Sequence, residues 1–228
     1  MFSLDRSLLP AANQFLADLD TRWRAATGLN NRADYSINYS PICPCPLLVL
    51  GLNPGGSADN FQLVDVAAGG SEYIEGYGPT SQNIGRLLQR ALGVSSPEGI
   101  RTVQGSNVIW RRSPSMQSLG IRVPVAAKET APHLVRLISY VGPRAILFGG
   151  KAAYDAFLGA HKARVVTQGE TILGPNGSSQ AVYFGHSALS LPYLSGNVEA
   201  FIVLHPSKGL RDLAVNRLKF HFARLFAA

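Results

Sequence analysis

Apolar residues recur at helical spacing over residues 11 to 27, where Phe15, Leu16, Leu19 and Trp23 share one face, so the pattern predicts a helix there. A polar stretch then runs through "GLNNRADYSINYSPICPCP" and reads as a loop. It leads into the unbroken run Leu47 to Leu50, a buried strand ending at Gly51. The segment "SADNFQLVDVAAGGSEYIEGYGPT" is glycine-rich and weakly periodic, and a loop of that length usually has a function or is disordered. "SQNIGRLLQRALG" returns to helical spacing, with Ser81 as a cap and Ile84, Leu87, Leu88 and Leu92 as one stripe. A short strand over 106–110 runs into a basic turn, and "ETAPHLVRLISYVGP" is a helix stopped by Gly142 and Pro143. Residues 145–149 form a strand, followed by a Gly-Gly turn and a helix over 151–158. Two further apolar runs, 181–184 and 200–204, read as strands, and 212–226 closes the chain as a helix with Leu213, Leu218, Phe222 and Leu225 inward.

Strands alternating with helices predict a three-layer α/β/α sandwich with a central, mainly parallel sheet. With no internal repeat and no linker, residues 1–228 read as a single domain, with 1–45 as an N-terminal helix and loop packing on it. Ligands of such sheets bind beyond the carboxyl ends of the strands. Three loops leave those ends: 51–57, 107–115 and 205–211.

Charge changes the picture more than composition does. Apolar residues make up 46% of the 228, as in ordinary globular proteins, yet the formal net charge is +7 with only 15% charged residues. That excess favours a polyanionic partner. No apolar run approaches the length of a membrane span, and the N-terminus lacks a signal-peptide pattern, so a cytoplasmic protein with no membrane partner is expected. Cys43 and Cys45 are too close for an easy disulfide and too few for a zinc or iron–sulfur site. No metal and no cofactor are expected.

Gly51-Leu52-Asn53-Pro54-Gly55 has an ordinary reading as a strand-to-loop turn. It matches neither the P-loop nor a dinucleotide fingerprint, so a nucleotide cofactor is disfavoured. His205-Pro206-Ser207 alone is more often structural than catalytic, and His133, His161, His186 and His221 have no partner pattern. "GHSAL" at 185–189 has Leu189 where a nucleophile elbow needs glycine, so a serine hydrolase built on Ser187 is a weak reading.

Taken in order, the motifs resemble a known family. "GLNPG" early and "HPS" before the last helix look like the uracil-DNA glycosylase superfamily, closest to its single-strand-selective and mismatch-specific branch. "SNVIWRRSPS" is similar to a strand-and-basic-turn motif of the thermostable branch, and "RAILFGGKAAYDAFL" resembles the superfamily's strand–Gly–helix segment. "HPSKGLRD" joins features of two branches, which leaves the subfamily open.

The resemblance implies a monofunctional glycosylase that hydrolyses the N-glycosidic bond of uracil in DNA, with other deaminated bases as further candidates. It implies roles residue by residue. Asn53 would orient the attacking water, with Gly51, Leu52, Pro54 and Gly55 shaping the turn around it. His205 would stabilise the departing base, next to Ser207. Asn107 would read uracil N3–H and O4. An aromatic would stack on the flipped base, with Tyr77 the first candidate and Phe61 or Tyr73 the alternatives. Leu210 would be the wedge that fills the vacated stack, with Gly209 beside it. Lys208, Arg211, Arg111 and Arg112 would contact phosphates. The implied partner is uracil-containing DNA, single- or double-stranded, bound by a monomer that is nucleoid-associated when acting. Among the motifs only Lys208 offers an amine, so lyase chemistry is not expected. A nucleic-acid-binding protein on the same fold, without glycosylase chemistry, is the competing class.

Overall fold

The apolar run 47–50 and the register of its neighbours set the centre of the molecule. In a computed structural model that describes residues 4–56, 64–76, 78–174, 182–209 and 211–227, six strands form one sheet. They are β1 (Leu47–Gly51), β2 (Gln104–Asn107), β3 (Ala145–Gly149), β4 (Arg164–Leu173), β5 (Val182–Ser190) and β6 (Asn197–Val203), in the order β2-β1-β3-β6-β5-β4. The first four are mutually parallel, and β5 and β4 complete the sheet antiparallel. β1 and β3 sit inside the parallel part and are apolar throughout, as strands covered on both faces must be.

Among the described residues, six α-helices flank the sheet: α1 (Leu9–Thr27), α2 (Glu72–Glu75), α3 (Pro79–Leu92), α4 (Val123–Val141), α5 (Lys151–His161) and α6 (Asp212–Leu225). α3 packs with α6, and α4 packs with α1 and α5, which gives the α/β/α sandwich. One contiguous cluster of buried side chains runs from Leu19 and Trp23 of α1 through β1 and β3 to Phe222 of α6. Trp23 and Trp110 meet edge-to-face at 5.3 Å, an arrangement worth about 0.5–1.5 kcal/mol beyond the burial itself.

The polar stretch after α1 is not a loose loop. Residues 35–45 form a strap along the outer edge of β2, and most of them are buried. Ser36 N–H donates to Trp110 O (2.9 Å), Tyr39 N–H to Gly105 O (2.9 Å), and Gln104 Nε2 to Pro41 O (2.6 Å). Ser106 Oγ donates to Ile37 O (2.5 Å). The strap covers an edge that would otherwise offer unpaired backbone groups to another chain.

Several expected boundaries move. β2 covers 104–107 rather than 106–110; the apolar Val108, Ile109 and Trp110 follow the strand and are buried beyond it. β4 had no counterpart in the pattern. α3 begins at Pro79, so Ser81 lies inside the helix and donates to Glu72 Oε2 (3.3 Å) instead of capping. On α6, Leu213 is exposed while Ala214 and Val215 face inward with Leu218 and Phe222.

Candidate active site at the carboxyl ends of the parallel strands

The strand order places Asn107, Gly51, Gly149 and Val203 side by side, at the ends of β2, β1, β3 and β6. Gly51 pairs with Asn107 in register, and Val108 N–H and Ile109 N–H continue the ladder onto Gly51 O and Leu52 O (2.9 and 2.8 Å). Ser113 N–H then reaches Pro54 O (3.1 Å), so the two loops leave the sheet together.

This zipper fixes the Asn53 amide. Its Nδ2 donates toward Ser113 Oγ (3.0 Å), Pro54 O (3.1 Å) and Ser113 O (3.3 Å). Two of the three partners are carbonyl oxygens, which only accept, so the nitrogen must be the atom facing them. Ser113 Oγ in turn donates to Ser115 O (2.8 Å), which commits the hydroxyl proton and leaves a lone pair for Asn53. Among the described residues Oδ1 has no partner. The result is a neutral amide whose orientation is settled and whose carbonyl oxygen is free to accept. Pro54 is buried and Gly55 exposed; Arg112 Nη1 braces the turn by donating to Gly55 O (2.6 Å).

His205 follows β6 and precedes a short 3₁₀ turn, Pro206–Lys208. Ser207 N–H donates to His205 Nδ1 (3.3 Å), with Ser207 Oγ at 2.7 Å from the same nitrogen. A backbone N–H cannot accept, so Nδ1 carries no proton and the ring hydrogen sits on Nε2. The residue has exposed surface, yet desolvation of the ring, with the charge of Lys208 second, holds its pKa below the ordinary 6.5. The neutral, Nε2–H form follows from both observations. Asn83 of α3 holds this loop from the other side, its Nδ2 donating to Pro206 O (2.8 Å). The turn after β3 is Gly149-Gly150, with Gly150 at φ +117° and the His205 Cβ 3.6 Å from where its own Cβ would stand. That turn contributes no side chain between the ends of β1 and β6, which lie two strand spacings, roughly 10 Å, apart, and Pro206 Cδ packs 3.5 Å from where a Cβ on Gly149 would stand.

Asn107 is 3% exposed, and its Nδ2 donates to the hydroxyl of Tyr39. Its Oδ1 occupies the place where a Cβ on Gly51 would stand, 2.4 Å from that position. Glycine at 51 is therefore required by Asn107. Glu72 lies close by, its carboxyl pushed up to about 7 by burial, an effect that the Ser81 hydrogen bond and the Arg112 charge partly offset.

Of the stacking candidates, Tyr77 and Phe61 lie outside the described residues, as does the wedge candidate Leu210. Tyr73 is buried, its backbone against Gly85 of α3 and its phenol ring against Gly105 of β2. The four candidate phosphate contacts differ in setting. Arg111 holds Glu129 of α4 through two bonds of 2.6 and 2.7 Å. Arg112 faces the glycine-rich turn. Lys208 and Arg211 are exposed, Arg211 lying over the ring of Tyr183 at 5.2 Å. Gly209, at φ +83°, makes the turn between them.

Ser187, His186, His161 and His133 make contacts elsewhere in the fold. Ser187 lies within β5, buried, with its hydroxyl 3.0 Å from that of Tyr154, so the strand-to-helix elbow of a serine hydrolase is not formed there. His186 pairs with Glu199 (2.6 Å), His161 with Tyr193 (3.0 Å), and His133 meets Trp23 edge-on. Cys43 and Cys45 are buried free thiols, and burial raises the Cys45 pKa to about 12. Among the described residues, no group of three histidine, cysteine or acidic side chains could hold a metal ion. Among the described residues, no helix is long and apolar enough to cross a membrane.

Ser113, Asn83 and Tyr39 were not singled out by the sequence. Ser113 stood inside a recognised motif, but only the fold brings it to Asn53. No protein-family model matches the chain, and no curated protein matches it.

Proposed function

We propose that this protein is a monofunctional uracil-DNA glycosylase. The reading is supported by one observation: an amide with a committed nitrogen and a free oxygen, Asn53, follows the end of β1, and a neutral imidazole with its proton on Nε2, His205, follows the end of β6 two strands away, with the glycine turn of β3 and the Pro206 ring packed on it between them. That is the polarity needed to cleave an N-glycosidic bond by water. The C1′–N1 bond breaks with its electrons moving into the base, the sugar becomes oxocarbenium-like, and a water oxygen bonds to C1′ and loses its proton late, that proton going through solvent to the departed uracil anion so that an abasic sugar and neutral uracil result. Asn53 Oδ1 accepts a hydrogen bond from that water. His205 Nε2–H donates to uracil O2, where negative charge develops only in the transition state, so the bond accelerates the reaction instead of merely tightening binding. A neutral amide gives the sugar cation no charge of opposite sign, which places more of the work on the leaving base.

Asn107 supplies selectivity in this scheme. Its Oδ1 accepts from N3–H and its second Nδ2 hydrogen donates to O4, whereas cytosine presents the reverse pattern. The base must leave the duplex to reach this depth. The net charge of +7 and the exposed Lys208 and Arg211 suit the DNA backbone.

A uracil-containing oligonucleotide, followed by hot alkali, tests the assignment. Strand cleavage that appears only after alkali is the expected result. Retention of the oligonucleotide with no alkali-labile site would leave a binding protein without this chemistry.

A further inference from the structure

Consecutive residues near the start of α3 tie it to two neighbouring segments. Ser81 Oγ donates to Glu72 Oε2 (3.3 Å), Gln82 Nε2 to Gly76 O (3.0 Å), and Asn83 Nδ2 to Pro206 O (2.8 Å). The third bond crosses 123 residues and reaches the turn that follows His205. Its direction is settled, because a carbonyl oxygen only accepts and the amide nitrogen must face it. Pro206 O also accepts from Gly209 N–H (3.0 Å), which closes the turn on itself. Asn83 holds the same carbonyl from outside the turn.

The carbonyl of Pro206 and the N–H of Ser207 belong to one peptide unit. That unit is planar and trans, so its C=O and N–H point in opposite directions and can only turn together. Asn83 holds one end of the plane, and the other end donates to His205 Nδ1 (3.3 Å). This N–H decides more than the closer Ser207 Oγ, 2.7 Å from the same nitrogen. A hydroxyl either donates to an imidazole nitrogen or accepts from it, so Oγ is compatible with both neutral tautomers. A backbone N–H only donates, so it admits the tautomer protonated at Nε2 and excludes the other. Hydrogen bonds in series also polarise one another, so a donor on Pro206 O strengthens the donor at Ser207 N.

We propose that Asn83 holds His205 as an Nε2–H donor, acting through the peptide between Pro206 and Ser207. Asn83 is thus a positioning residue two hydrogen bonds away from the imidazole. The use of that donor on a departing base rests on the glycosylase reading; the relay itself does not.

Asn83→Ala tests the relay without DNA. In ¹⁵N-labelled parent protein at neutral pH, the His205 ring, assigned by its absence from His205→Gln, should show a bare Nδ1 and a protonated Nε2. In Asn83→Ala the ring signals should move toward a mixture of tautomers. Amide exchange at Ser207 should rise about 3- to 10-fold, as for one lost hydrogen bond, while the α3 amides of Leu87 and Leu88 keep their protection. Asn83→Asp keeps the side-chain shape with no hydrogen for Pro206 O, and the same loss of Ser207 protection is expected there. A parent ring protonated at Nδ1, or shared between the two nitrogens, overturns the proposal whether or not the variants fold. So does an Asn83→Ala protein whose tautomer and Ser207 protection match the parent's. Exchange that rises through α3 as much as at Ser207 also overturns it, since Asn83 would then be a structural tie.

Activity gives the second readout. Single-turnover cleavage of a uracil duplex should fall about 3- to 10-fold in Asn83→Ala. Affinity for a duplex carrying 2′-fluoro-2′-deoxyuridine, which resists cleavage, should stay unchanged. A parent that shows the relay but cleaves no uracil-DNA overturns the glycosylase reading and leaves the relay standing. Cleavage by the parent, with no tautomer change in Asn83→Ala, overturns the relay and leaves that reading standing.

Discussion

Asn53 and Ser113, sixty residues apart in the chain, share a 3.0 Å hydrogen bond in which the amide nitrogen donates to the hydroxyl. The hydroxyl passes the chain on to Ser115 O, so a row of three residues decides which face of the Asn53 amide remains open. Two consequences can be measured. Ser113→Ala removes one of three acceptors and leaves the two carbonyls, so the amide should keep its orientation but hold it less firmly. Single-turnover cleavage should fall about 3- to 10-fold, as for a lost hydrogen bond, with affinity for uracil-DNA unchanged. Asn53→Asp should be the harsher change. One carboxylate oxygen would face Pro54 O and Ser113 O at 3.1 and 3.3 Å with no hydrogen to offer. A lower melting temperature than Asn53→Ala is expected, and an aspartate variant as stable and as fast as the parent would show that the amide nitrogen is not committed as described.

Gly51→Ala tests the close approach between β1 and β2. The new Cβ would stand 2.4 Å from Asn107 Oδ1, and Asn107 is buried and tied to Tyr39, so it cannot swing away cheaply. Overpacking of this kind costs about 1–3 kcal/mol of stability. Base selectivity should suffer beyond that, because the displaced atom is the one proposed to accept uracil N3–H. A crystal structure of the variant with Asn107 unmoved would contradict this account.

How much of this was legible in the chain depends on where each residue finds its partners. β1 and β3 are apolar and buried on both faces, so their pattern declares them. β2 reads "QGSN", which has no apolar side chain at all; it is a buried strand only because Ser106 and Gln104 bond to Ile37 O and Pro41 O of the strap. Nothing local signals that pairing. β4 was missed for the opposite reason: it is an edge strand, largely exposed on both faces, so no alternation marks it. Asn53 and His205 were legible because short motifs carry them. Ser113 and Tyr39 reach Asn53 and Asn107 through contacts across 60 and 68 residues, which spacing cannot show.

Salt dependence separates three of the four basic candidates. Lys208→Ala and Arg211→Ala should each flatten the log–log slope of duplex affinity against salt by about 0.9, the value for one lost phosphate contact. Arg111→Ala should leave the slope unchanged and lower stability instead, since its guanidinium is already taken by Glu129 in two bonds. A slope that changes with Arg111 and not with Lys208 or Arg211 would move the DNA path toward β2.

The sharpest separation of chemistry from binding comes at His205. Its Nδ1 is closed by Ser207, and its Nε2–H is the proposed donor to the departing base. His205→Ala should therefore lower single-turnover cleavage by about 10²–10³-fold, the range for one donor aimed at developing charge, while affinity for uracil-DNA stays within about threefold. Ser207→Ala should cost far less, because the backbone N–H still fixes the tautomer. The pH profile carries the same signature. Desolvation and Lys208 lower the His205 pKa below 6.5, so the neutral donor persists into mild acid, and the rate should stay level down to 6.5 and fall only below it. The sign for stability agrees: the unfolded chain takes up this proton near 6.5 and the folded chain only at lower pH. The contribution is thus complete above 6.5 and is lost as pH falls through the folded value. A rate that instead rises as pH drops through 6.5 would mean that the charged imidazolium is the active form. In that case the Nδ1 acceptor bond from Ser207 would have to break before the chemistry, and neutral-donor stabilisation of the leaving base would be wrong.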